Sequence, residues 1–167
     1  MSKASSHQFV GTKGDRIEKG MDPKNLKKQV VAWAEEVIRR MPKDVSHKKR
    51  NRFNTACVVF DEKTGKLYFG RNGGIRRFGD QLHPKLEKIL PAKSLNKYPT
   101  TWGCAETDAI NQALYNGSKL KNMRIYVIVT NRGRIGNTKI SCENCTYAYR
   151  KRIKKNYTGW SEKEQTK

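Results

Sequence analysis

The sequence predicts an α/β domain, one sheet with helices packed on its faces, on three observations. Apolar residues recur at helical spacing in an early segment, two short runs are apolar enough for buried strands, and the elements follow the order helix, strand, strand, helix, strand, helix. A chain of 167 residues can bury one core without disulfide staples. With 35% hydrophobic and 31% charged residues, that core must carry polar loops and ends.

Residues 1–21 are polar and aperiodic and are expected to form a disordered arm or a linker; 22–160 is the expected folded domain and 161–167 a tail. Asp22-Pro23 is a helix start, with Asp as N-cap and Pro at the first helical position. Leu26, Val30, Trp33, Val37 and Met41 then form one apolar stripe, and Pro42 stops it. The stripe reads as core packing, and Trp33 has no chemical role. Residues 43–52 form a basic connector, in which His47 is expected in solvent. Residues 53–60 are β-rich, 61–65 end in a glycine suited to a turn, and 66–71 return as the partner strand. Cys57 lies inside the first strand and reads as a buried, inert thiol, with a fourth metal ligand as the alternative.

Asn72-Gly73-Gly74 ends the hairpin, and a long connection runs to Gly103 in which only residues 84–90 look helical. So long a connection inside a domain is functional or loose. It carries Arg71, Arg76, Arg77, Lys85, Lys88, Lys93 and Lys97 among Phe78, His83, Tyr98 and Trp102. Cations track a phosphate backbone and aromatic faces stack bases, so the mixture suits a single-stranded or flipped substrate.

From Cys104 the pattern is helical through Ala109, Ile110, Ala113 and Leu114, with Asn116-Gly117 as its stop. Residues 123–130 make the best strand in the sequence, expected at the sheet centre. A loop with Gly and Arg follows over 131–140. Cys142 opens a last helix expected to run through Ile153, and a short strand around Tyr157 to Trp160 is the final expectation.

The formal net charge of +21 points to an anionic partner, because such a field gathers phosphates. Nucleic acid fits better than a membrane surface, since no basic amphipathic helix with a strongly apolar face stands out. A solvated surface or an acidic protein partner is the plainer alternative. No apolar run approaches the roughly 18 residues of a membrane span, and nothing reads as a signal peptide.

Three of the four cysteines, Cys104, Cys142 and Cys145, show metal-type spacing rather than a disulfide framework. Three thiolates suit zinc and leave its fourth tetrahedral position open for water, which marks a catalytic site. Cys142 and Cys145 share a helix face if the last helix starts there, and Glu106 stands two residues from Cys104. Helix N-termini stabilise thiolates, and the metal lowers the pKa of its water toward roughly 7. Glu106 is then the group that moves protons, the division of labour needed to hydrolyse an aromatic amidine. Cys-x-x-Cys alone also serves redox enzymes and structural zinc sites. A redox dithiol, however, leaves Cys104 and Glu106 without a role.

Cys104-Ala105-Glu106 followed by Cys142-x-x-Cys145 resembles the zinc-dependent cytidine deaminase superfamily, whose motif is His or Cys, then x-Glu, then Pro-Cys-x-x-Cys. The hairpin, helix, strand and helix from Phe53 to Arg152 match that core, so the likeness covers roughly the last two-thirds of the chain. It implies a three-layer sandwich with a central mixed sheet of about four to five strands, zinc on the three cysteines, and Glu106 as general acid/base. Asn72 falls where many members place an Asn that hydrogen-bonds the substrate. The expected substrate-binding set is Asn72 and Ala105 with Trp102, Tyr98, Arg76, Arg77 and Phe78. Ser141 departs from the motif's Pro, and the chain after the last helix is too short for the elements that sort the branches.

Among those branches the short, very basic form looks like the C-terminal toxin modules of bacterial polymorphic toxin systems. That likeness implies delivery from a producing bacterium, action on DNA or RNA in the target cell's cytoplasm, and a cognate immunity protein. Cytosine to uracil is the expected conversion. A free nucleoside or small-metabolite deaminase is the rival enzyme, and a non-catalytic, zinc-stabilised nucleic-acid-binding module the rival outside enzymes.

Overall fold

The computed structural model describes residues 21–131 and 133–162. The arm expected over 1–21 and the tail over 161–167 therefore fall almost wholly outside the described residues. Met21 packs against the sheet, and the backbone N–H of buried Ser161 donates to Thr146 Oγ1 at 2.9 Å.

Helix α1 spans Pro23–Arg39, and its N-cap Asp22 accepts from the Asn25 N–H at 2.9 Å. Leu26, Val30 and Ala34 are fully buried, with Trp33, Val37 and Met41 packed at the edge of the same face. Trp33 stacks on Phe69 at 5.6 Å and meets Phe53 edge-on, so its role is packing. The basic connector contains one short helix, α2 (His47–Arg50), which leaves His47 exposed.

Strands β1 (Thr55–Asp61) and β2 (Lys66–Arg71) form the expected hairpin, turned through Gly65 at φ 77°. With β3 (Met123–Val129) and β4 (Lys155–Asn156) they build a four-stranded mixed sheet among the described residues, in the order β2-β1-β3-β4. β1 pairs antiparallel with both neighbours, and β3 pairs parallel with β4. Alternation divides the core. Ala56, Val58, Phe60, Phe69 and Ile128 face α1, while Cys57, Val59, Tyr68, Ile125 and Val127 face the opposite helices. The result is the three-layer α/β sandwich expected from the sequence.

The opposite layer is led by α5 (Ala105–Tyr115), with α4 (Pro84–Ile89) and α6 (Glu143–Tyr149) beside it. Every residue of α5 from Ala105 to Leu114 is buried, including its polar ones. Asp108 accepts from the Arg71 N–H at 2.9 Å, Gln112 donates to the Phe69 carbonyl at 2.7 Å, and Thr107 bonds the Tyr149 hydroxyl at 2.7 Å. Each polar side chain thus fixes a neighbouring element to the helix. The close approach of α5 to β2 depends on Gly70, where a Cβ would lie 2.4 Å from Ala109 N and 2.6 Å from Ala105 O. Both clashing atoms are backbone and cannot rotate away. Gly70→Ala is therefore expected to destabilise the domain by about 3 kcal/mol, read as a lower denaturation midpoint at unchanged m-value.

Three expectations are corrected here. The connection after the hairpin contains a further helix, α3 (Gly74–Phe78), as well as α4. The last helix stops at Tyr149, so the basic run 150–155 lies beyond it. The final strand is Lys155–Asn156, which pairs with Arg124 and Ile125, rather than residues 157–160. Tyr157 to Trp160 instead form a turn and coil, in which the Asn156 side chain holds Thr158 N–H at 2.9 Å and Gly159 N–H at 3.2 Å.

Candidate metal centre and its pocket

Cys104 is the N-cap of α5 and Cys142 the N-cap of α6, with Cys145 in the first turn of α6. The sandwich places these two helix starts together, and the three Sγ atoms lie within 4.8 Å of one another. Cys104 and Cys142 approach to 3.0 Å as free thiols. In a tetrahedral thiolate site with Zn–S near 2.3 Å, sulfur atoms sit about 3.8 Å apart, which the observed range brackets. The donor set is soft and converges on one point, so the cluster can hold a metal ion such as zinc. Among the described residues the cluster has three members, and Cys57 is not one of them: it is fully buried in β1, where burial pushes its thiol pKa up.

Electrostatics within the cluster favour a cation. Hydrogen bonds from Cys104 and then Cys145, with the backbone N–H groups of Cys145 and Asn144, draw Cys142 down to about 3. The hydrogen bond to Cys142 pushes Cys104 up, and burial pushes Cys145 up. Of the three sulfurs, Cys142 is thus the one most readily held as a thiolate. Behind them Thr107, itself bonded to Tyr149, stands 4.0 Å from Cys145 Sγ and steadies the cluster.

Glu106, the second residue of α5, is 3% exposed. Burial, then the charge on Cys142, pushes its carboxyl up to about 7, while Ser141 and Lys139 pull the other way. A bound divalent cation would oppose that rise. Ser141 also accounts for the departure from Pro before the cysteine pair. Its N–H donates to the Gly159 carbonyl at 2.9 Å, a bond a proline cannot make.

Glu106, Cys104 and Cys142 lie in the wall of a cavity of about 390 Å³. Of the expected substrate-binding residues, Asn72, Ala105, Trp102, Tyr98 and Arg76 line it as well. Arg77 and Phe78 belong to α3 but are outside that lining. Asn72 lines the cavity with its carbonyl already occupied: Oδ1 accepts from the Asn54 and Thr55 N–H groups at 3.0 and 3.1 Å, and Nδ2 donates to the Arg52 carbonyl at 2.7 Å. It can offer a ligand at most its remaining amide proton.

The lining residues missed from sequence include Asn54, Thr55, Lys139, Ile140 and Asn144. Asn144, between the paired cysteines, accepts from the Leu95 N–H at 2.8 Å and donates to Ser94 Oγ at 3.1 Å. Asn111 likewise accepts from the His83 N–H at 2.7 Å and donates to the Gln81 carbonyl at 2.9 Å. These two buried amides fasten the long connection, so the segment carrying Tyr98 and Trp102 is seated rather than loose. Asn144→Ala is expected to cost about 2 kcal/mol and to speed proteolysis within residues 91–103; Asn144→Asp, which keeps the acceptor for Leu95, should be milder.

No protein-family model, no curated protein and no solved structure matches this chain.

Proposed function

We propose that the protein is a zinc-dependent hydrolytic deaminase acting on a base of DNA or RNA, converting cytosine to uracil. The observation that carries this reading is one buried carboxylate, Glu106, in the wall of a cavity beside three convergent cysteine sulfurs, of which Cys104 and Cys142 line the same wall. Cys104, Cys142 and Cys145 would hold the ion, which when bound supplies Lewis acidity that brings water within reach of ionisation near neutral pH. The residues then have separate duties. Glu106 takes a proton from the attacking water and returns it to the ring nitrogen and the departing amine. A C–O bond forms at the amidine carbon, the C–N bond breaks, ammonia leaves, and nothing is oxidised or reduced. Trp102 and Tyr98 offer faces for the base, and Ala105, fully buried, forms part of the wall beside Glu106.

The choice of nucleic acid rests on the net charge of +21 and on the cations Arg76 and Lys139 in the cavity lining. The cavity volume also suits a free nucleoside, which makes a nucleoside deaminase the second reading. Turnover by zinc-loaded protein separates them: kcat/KM for a cytosine-containing single strand is expected to exceed that for cytidine by about 100-fold. Equal values would favour the nucleoside enzyme. Salt-sensitive binding without any base conversion would favour a zinc-stabilised binding module.

A further inference from the structure

One wall of the cavity carries no proton in the proposed reaction, although the charge on Lys139 there acts on Glu106. Lys139 reaches across the mouth and donates from Nζ to Thr55 Oγ1 at 2.6 Å, and Thr55 donates onward to Asn54 Oδ1 at 2.7 Å. The backbone beneath is fixed, since the Lys139 N–H donates to the Val127 carbonyl at 3.1 Å and the Ser141 N–H to Gly159. The ammonium group has three N–H donors and Thr55 takes one. Arg76, from α3, lines the same cavity and is exposed. Neither cation pairs with a carboxylate among the described residues, although Glu62 and Glu36 gather four such pairs elsewhere. Tyr98, 59% exposed with the Lys97 ammonium 5.9 Å from its ring centroid, stands on the same rim.

A base inside the cavity is uncharged, whereas its flanking phosphates are not. Two unpaired cations from different elements, with an exposed aromatic beside them, match a strand that enters and leaves the mouth. Building on the deaminase reading, we infer that Lys139 and Arg76 hold the phosphates flanking the target nucleotide, so that the cavity takes an internal nucleotide of a single strand. Lys139 is the pre-positioned member of the pair, held by Thr55 before any ligand arrives. Arg76 is the second, exposed cation of the lining.

The test measures binding of a short fluorescent single strand, as DNA and as RNA, to zinc-loaded protein carrying Glu106→Gln, with and without Lys139→Gln. The added substitution is expected to weaken binding about tenfold at low salt and to reduce the slope of log K against log salt by about one. Lys139→Arg, which keeps the charge, should restore both. In protein with native Glu106, Lys139→Gln should lower kcat/KM for the oligonucleotide about tenfold more than it lowers that for cytidine, since any effect through Glu106 falls on both substrates alike. An unchanged salt slope, or an equal loss on both substrates, would overturn the inference. If native protein converts no base at all but the slope still falls, the deaminase reading fails and the phosphate subsite stands.

Discussion

Replacing Glu106 with Ala is expected to leave zinc stoichiometry and the fold intact while lowering cytosine conversion in an oligonucleotide by about 1,000-fold or more. The carboxyl group is almost wholly buried beside Cys142, and burial already pushes it up to about 7. The fold gains little from keeping such a group, because its ionised form is disfavoured where it sits. Glu106→Ala should therefore change the unfolding midpoint only slightly. The substitution removes the one carboxylate that, among the described residues, lines the cavity and can carry a proton between water and the leaving amine. Glu106→Gln, which keeps the shape and loses the base, should be nearly as inactive. Conversion within a few-fold of the native rate in either variant would remove Glu106 from the mechanism.

Removing the metal, by chelation or by Cys104→Ala, is expected to abolish conversion and lower thermal stability together. An ion that binds only the folded chain adds its binding free energy to folding, about 4 kcal/mol at a thousandfold excess over Kd, which here corresponds to a fall in Tm of about 10 °C. The apo site leaves three sulfurs crowded together, Cys104 and Cys142 only 3.0 Å apart, so the apo protein should keep its sheet and lose firmness where α5 and α6 begin. Cys57→Ala supplies the contrast. That residue is fully buried in β1 and outside the cluster, so the substitution should cost about 1 kcal/mol of packing and leave zinc content unchanged. An unshifted Tm after chelation, with zinc shown to have been bound, would contradict the coupling.

The parts legible in the sequence were those fixed by nearby residues. Asp22-Pro23 caps its own helix, the β1–β2 hairpin is closed by its own turn, and Cys142 and Cys145 lie within one turn of α6. Cys104 joins them because α5 and α6 start side by side, a convergence that the metal-type residues suggested and the order of elements did not fix. What stayed hidden depends on distant partners. Helix α3 is entered through its N-cap Gly73, with φ 71°, and packs on Asp108, whose carboxylate would collide with a Cβ at Gly74. The burial of Asn111 and Asn144 becomes clear only once the long connection has folded over them. Lys139 acquires meaning from Thr55, 84 positions earlier in the chain. Asn72 shows the converse. Its position beside the cavity was legible, but the occupation of its carbonyl by the Asn54 and Thr55 backbone was not.

The central claim is three protein sulfurs around one zinc with the fourth place left to a non-protein ligand. X-ray absorption at the zinc edge of the loaded native protein measures that shell directly. The expected result is one zinc per chain with three sulfur scatterers near 2.3 Å and one lighter scatterer, the sulfur count falling in Cys104→Ala. A shell of four protein ligands, or a native protein that takes up no zinc, would contradict it.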